Sequence, residues 1–166
     1  MWTNKIFHIL DAIGKEWGYD VGCHPFTYEG NKLGNKEYLL LDCVYRPTTE
    51  SDDGYLWEQP KVVIEHENEE RYEAKKEDFY KLCLFAVPLR VFIGYCLSTE
   101  KLNLQMSKMI AFYDSSGFQQ VSNGETLIML AMTIDQEIYP TWLISCKREE
   151  GNRGWIDIRF DNQPII

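Results

Sequence analysis

Val62-Val63-Ile64-Glu65-His66-Glu67-Asn68 is an apolar run with acid in its interior, and Leu39-Leu40-Leu41-Asp42-Cys43-Val44-Tyr45 is a second. Both have the length of buried strands. Residues two apart on a strand share a face, so Glu65 and Glu67 point the same way as Val63, and His66 points the other way with Val62 and Ile64. If the two strands pair, Asp42 can lie beside Glu65. Carboxylates are rarely fully buried unless they are paired or hold a metal. Three readings stand open. The acids hold a hard divalent cation, since oxygen-rich sites suit magnesium, manganese or calcium. Alternatively, Glu67 and Asn68 are a solvated strand end and only Glu65 is unusual. Or Glu65 makes a structural ion pair with a lysine or arginine.

Outward from these runs the elements follow in order. Residues 4–17 carry Ile6, Ile9, Leu10, Ile13 and Trp17 at helical spacing, and Gly18 stops the helix. Tyr19–Cys23 reads as a short strand, Gly30–Asn35 as a turn, and Tyr38–Tyr45 as a strand. An acidic loop, Arg46–Pro60, has Ser51-Asp52-Asp53-Gly54 at its tip. Glu70–Val87 is an expected helix with Tyr72, Phe79, Leu82, Cys83 and Ala86 on its buried side, ended by Pro88. Leu89–Cys96 is a buried strand. Strand, helix and strand with continuous apolar runs indicate a parallel crossover. Thr99 is the expected cap of a further helix with Leu102, Met106, Met109, Ile110 and Tyr113 inward. Three more strands are expected at Thr126–Thr133, Trp142–Lys147 and Trp155–Phe160, the last an antiparallel edge.

The 166 residues fit a single domain, 1–166, with a proper core. Apolar residues make up 45%, which excludes a disordered chain. The five cysteines are scattered without a C-x-x-C pair. Reduced, buried thiols in a cytoplasmic protein are the expectation. No run reaches the roughly 18 apolar residues of a membrane span. The net charge of −9 is concentrated: residues 50–80 hold eleven acids and four bases, a balance of −7. Such a surface repels phosphate backbones, so nucleic-acid binding needs a local basic patch, a cation or a partner.

The order of elements, with Asp42 on one strand and Glu65-His66-Glu67 on the next, resembles the core of the restriction-endonuclease-like, or PD-(D/E)XK, nuclease superfamily over residues 4–96. The resemblance implies an α/β fold: a mixed central sheet flanked by helices, here with extra C-terminal strands. It implies that Asp42 and Glu65 bind Mg²⁺ or Mn²⁺, with the carbonyl of His66 completing the shell. The family lysine two residues after the second acid is replaced by Glu67, which would accept the water's proton or bind a second metal. In some members that lysine moves to the following helix, where Lys75, Lys76 and Lys81 stand, and Lys81 is the expected catalytic cation. Glu16, on the first helix, would hold an outer-sphere water. Leu41 stands where the family has proline. The implied activity is metal-dependent hydrolysis of phosphodiester bonds, with nucleic acid as the substrate, in an active, partner-dependent or inactive form.

The alternative is a non-enzymatic, acidic interaction or regulatory module that contacts a basic partner protein. A third reading is a subunit that dimerises through its C-terminal sheet edge. His8, His24 and His66 repeat no zinc spacing, and His66 reads as a core histidine with a hydrogen-bond partner. Cys83, on a buried helix stripe, should be inert. Gly30-x-x-x-Gly34 lacks the lysine of a phosphate loop. Tyr55 and Trp57 in the acidic loop would stack bases, make a protein contact, or fold back as a lid.

Overall fold

The structure, a computed structural model, describes residues 2–28, 31–33, 40–48, 59–118, 124–134, 137–147 and 155–160. Three helices and nine strands occur among them: α1 (Trp2–Glu16), β1 (Tyr19–Cys23), β2 (Phe26–Tyr28), β3 (Asn31–Leu33), β4 (Cys43–Pro47), β5 (Val62–Glu67), α2 (Tyr72–Cys83), β6 (Leu89–Cys96), α3 (Thr99–Ser115), β7 (Glu125–Ile134), β8 (Glu137–Lys147) and β9 (Ile156–Phe160). Parallel and antiparallel pairings both occur. The chain is thus α/β with mixed strand pairing. It divides into two compact units, residues 1–64 and 65–166. The tip of the acidic loop, with Tyr55 and Trp57, lies outside the described residues.

In the first unit, β4 pairs antiparallel with β1 and with β5, in registers that set Val21 opposite Tyr45 and Val44 opposite Val63. Helix α1 packs on β1 and β4 through only part of the expected stripe. Phe7, Leu10 and Gly14 are buried, whereas Ile9 and Trp17 are exposed. Gly14 explains the rotation. A Cβ there would stand 2.5 Å from Val21 Cγ2 and 2.8 Å from Tyr45 Cε1. The helix therefore approaches the strands along its smallest residue, which larger apolar neighbours cannot match. Tyr45 Oη then donates to the Leu10 carbonyl at 2.7 Å, and burial raises its pKa. Gly18 ends the helix in the left-handed region at φ 78°, as its position suggests.

Two expectations fail in this unit. Part of the expected turn at residues 30–35 is strand: Asn31–Leu33 pairs antiparallel with Phe26–Tyr28. An aromatic and β-branched run followed after two residues, the second a glycine, is the hairpin signal that was passed over. Cys23 and Cys43 are not reduced thiols but a disulfide. They stand directly opposite each other in the β1–β4 ladder, with Cα atoms 4.1 Å apart, and the sequence alone gave no register to reveal this. Cys83 and Cys96 are free and buried, and Cys146, in no disulfide, is half-buried.

In the second unit, β6 and β7 are parallel and joined by α3; β8 and then β9 add antiparallel. Both helices of this unit cover one face of β6 and β7. On that face Phe92 meets Phe79 of α2, Cys96 meets Gln105 of α3, and Thr126 meets Tyr113 of α3. Leu82, Leu102, Met106, Met109, Ile128 and Leu130 complete the buried layer. Arg90, 1% exposed, lies in the same layer. It donates to Thr126 Oγ1 at 3.0 Å and to the carbonyls of Phe85 at 3.0 Å and Gly124 at 2.6 Å. A buried guanidinium is tolerated because its fork satisfies three acceptors at once.

Element ends shift for identifiable reasons. Ser98, not Thr99, caps α3, its hydroxyl accepting from the Lys101 N–H at 3.2 Å. Helix α2 stops at Cys83 rather than at Val87, because Leu84 N–H and Phe85 N–H turn back to the carbonyls of Lys81 and Leu82 at 3.2 Å each. Strand β8 begins before Pro140, which lacks the donor of a central strand. It is accommodated where the β7–β8 register shifts between Ala131 and Met132.

Candidate functional site

The residues singled out on the sequence do not all belong to one unit. Asp42 and Glu16 are in the first. Asp42 is not within a strand. Leu40 adopts φ 62°, in the left-handed region that a branched side chain seldom takes, and this breaks the expected run ahead of β4. Asp42 therefore sits in a bend, half-buried, with its carbonyl accepting from the His24 N–H at 2.7 Å. Glu16 is exposed at the last position of α1.

Glu65, His66, Glu67 and Lys81 are in the second unit, and period two sorts them. Glu65 is 1% exposed and its Oε1 lies 2.8 Å from Lys81 Nζ. Lys81 also reaches Asp78 Oδ1 at 3.3 Å, one turn earlier on α2. Burial lowers the lysine's proton affinity, but the carboxylates of Glu65 and Asp78 outweigh it, and the net shift is upward. Lys81 is held charged. Among Lys75, Lys76 and Lys81, it is the one whose ammonium meets Glu65. Lys76 lies over the Phe112 ring, 4.8 Å from its centroid.

Glu67, on the same side of the strand as Glu65, accepts from the Glu69 N–H at 2.6 Å. Its pKa is raised, first by burial and then by the side chain and charge of Asp78, against the opposing pull of the Glu69 N–H and of Lys75. Asp78 is thus near enough for its side chain and charge to raise the pKa of Glu67. Lys75 is fully buried, its stem packed near Gly94 and its ammonium donating to the Glu69 carbonyl. Burial lowers its pKa, opposed by Glu67, Glu69 and Glu70 among its neighbours.

His66 points away from these acids. It is 6% exposed, and its Nε2 lies 2.9 Å from Tyr95 Oη. Desolvation lowers its pKa to about 4, so the imidazole is neutral at physiological pH. Its side chain belongs with Tyr95, whose hydroxyl pKa burial raises.

Asp78 was missed on the sequence, although a signal existed. It stands three residues before Lys81 and three after Lys75, and i, i+3 neighbours share a helix face. Once Lys81 is set toward Glu65, Asp78 must border the same acids. Among the described residues there is no group of three His, Cys, Asp or Glu side chains arranged to hold a metal ion. A hard cation such as Mg²⁺ binds through one or two carboxylates together with waters and substrate phosphate oxygens, so the Glu67–Asp78 pair fits one by its chemistry.

No protein-family model, no curated protein and no solved structure matches the chain.

Proposed function

We propose that the chain is a metal-dependent, nuclease-like domain acting on phosphodiester bonds of nucleic acid. In this reading Glu67 and Asp78 are the carboxylates for Mg²⁺ or Mn²⁺, and Lys81, fixed by Glu65, is the cation beside them. The observation that carries the reading is that Asp78, which Lys81 Nζ reaches at 3.3 Å, also acts on Glu67 and raises its pKa, beside a lysine held charged. Two carboxyls that crowd each other are the pattern expected where a cation normally offsets like charge.

The bound cation would supply charge stabilisation to the scissile phosphate and a lowered pKa to a water. The chain's own residues do the rest. Glu65 is anchored on its strand and orients Lys81. Lys81, one-third exposed, can turn its ammonium toward a phosphate oxygen. Glu67, in its deprotonated form, can take a proton from the attacking water.

A second reading has its own support. Lys81 already neutralises Glu65, so this buried carboxylate needs no metal to explain it. With −7 over residues 50–80, the alternative is a non-enzymatic module for a basic partner protein. One experiment separates the two. Purified protein is incubated with single- and double-stranded DNA and RNA in Mg²⁺, Mn²⁺ or EDTA, beside Glu67→Gln and Lys81→Met. The nuclease reading expects cleavage with metal only, lost in both variants. Cleavage that persists in EDTA or in Glu67→Gln overturns the assigned roles, and no cleavage with any metal favours the interaction module.

A further inference from the structure

Cys23 and Cys43 are the last directly opposed pair of the β1–β4 ladder. Their Cα separation of 4.1 Å is nearer the roughly 4.5 Å of a pair without mutual backbone hydrogen bonds than the roughly 5.5 Å of a bonded one. The disulfide therefore holds this rung covalently. Directly past it, the His24 N–H donates to the Asp42 carbonyl at 2.7 Å. Two residues before Asp42, Leu40 stands at φ 62°. A leucine is strained in this left-handed region and stays there only where its surroundings fix the backbone. Its own side chain, 72% exposed, does not fix it. The backbone that follows does, pinned at Asp42 and at Cys43.

We infer that the Cys23–Cys43 disulfide is a redox clasp on a strained neck. Oxidised, it keeps Leu40 left-handed and His24 bonded to Asp42. Reduced, it lets both go while the ladder behind it stays paired. That ladder has its own supports. Val44 and Tyr45 are buried, Tyr45 Oη donates to the Leu10 carbonyl at 2.7 Å, and Arg46 pairs with Asp20 across the two strands. None of these depends on the cysteines.

The chemistry is thiol–disulfide exchange with an external dithiol. One thiolate of the dithiol attacks a protein sulfur, forming a mixed disulfide and expelling the other cysteine as a thiolate. The second thiol of the dithiol then displaces the first protein sulfur. The protein gains two electrons and the two thiol protons, and the dithiol leaves as a disulfide. Cys23 and Cys43 are 1% and 0% exposed, so attack follows a parting of the neck. The strain at Leu40 belongs to the oxidised form alone. A substitution that changes this strain must therefore change the redox equilibrium by the same factor. The clasp goes beyond the nuclease reading and uses neither Glu67, Asp78 nor Lys81.

The test equilibrates the full chain in dithiothreitol redox buffers and counts alkylated thiols by mass after quenching and denaturation. Leu40→Asn, which tolerates the left-handed region, should make the disulfide about fivefold harder to reduce. Leu40→Val, which is β-branched and does not, should make it about fivefold easier. Both substitutions fall on an exposed side chain, so neither removes a core contact. Hydrogen exchange reads the neck directly. The His24 amide should be protected in the oxidised protein and lose that protection on reduction, while the Val44 amide keeps its own. The double variant C23S/C43S, which cannot close, should show the reduced pattern. A redox equilibrium that neither Leu40 variant shifts overturns the proposal. So does a His24 amide that stays protected after reduction. Loss of protection at Val44 together with His24 overturns it as well, because the disulfide would then hold the whole ladder and not its neck.

Discussion

Lys81 Nζ lies 2.8 Å from Glu65 Oε1, so the carboxylate set in an otherwise apolar strand is answered by a lysine on helix α2 whose side chain is still one-third exposed. Removing the lysine leaves an uncompensated buried charge, a larger penalty than the pair's own net worth. Breaking a fully buried pair costs about 3–5 kcal/mol; with Lys81 partly in water, Lys81→Met should cost about 2 kcal/mol. Glu65→Gln in the same chain should recover most of that loss, because the stranded charge is gone. Urea unfolding of both single variants and the double variant checks this. Strict additivity would show that the two side chains do not act as a pair.

His66 gives a pH dependence with a definite sign. In the fold its pKa is lowered to about 4 from an ordinary value of 6.5, because burial beside Tyr95 disfavours the imidazolium. The unfolded chain therefore binds the proton first as pH falls. The contribution of neutral His66 is complete above about pH 6.5, declines between about 6.5 and 4, and is absent below. The shift corresponds to about 3 kcal/mol. Unfolding free energy measured from neutral to acid pH should fall across that window. In His66→Gln, which keeps a polar partner for Tyr95 without titrating, that part of the slope should vanish.

How legible these features were depended on the range of the interaction. The strand Leu89–Cys96 and the alternation that sends His66 away from Glu65 follow from local pattern, and both are in the structure. The direction of helix α1 was misread because burial there is decided by closeness to Val21 and Tyr45, which favours Gly14 over any larger residue. A hydrophobic stripe records which side chains are apolar, not how near the backbones come. Asp42 was placed mid-strand because nothing local announces that Leu40 takes a left-handed turn. At the candidate site, Lys81 was expected from the helix after the acids. Asp78 went unnoticed because an exposed-looking acid on a charged helix carries no signal until its neighbours are set in space.

The cysteines can be counted directly. Of five in the chain, Cys23 and Cys43 are joined, and Cys83, Cys96 and Cys146 are in no disulfide. Thiol titration of the denatured, unreduced protein should find three. In the native protein, Cys83 and Cys96 should resist alkylation, since burial raises their pKa values to about 12 and about 11. Cys146, half-buried, should react first. Reducing the disulfide releases a loop of 20 residues and should lower stability by about 3 kcal/mol. Five reactive thiols without reductant would contradict the pairing.

The carboxyl pair of Glu67 and Asp78 is where the functional account is most exposed, and calorimetric titration with Mn²⁺ tests it directly. Proton and cation compete for Glu67, whose pKa is raised, so binding should tighten as pH rises through the carboxyl range, with proton release visible as buffer-dependent heat. At about pH 8 the wild type should bind Mn²⁺ and Glu67→Gln should bind at least tenfold more weakly. At acid pH the two should converge, because the raised pKa of Glu67 brings it to its neutral form early. No Mn²⁺ binding by wild type at either pH, or equal binding by Glu67→Gln at about pH 8, would contradict the account.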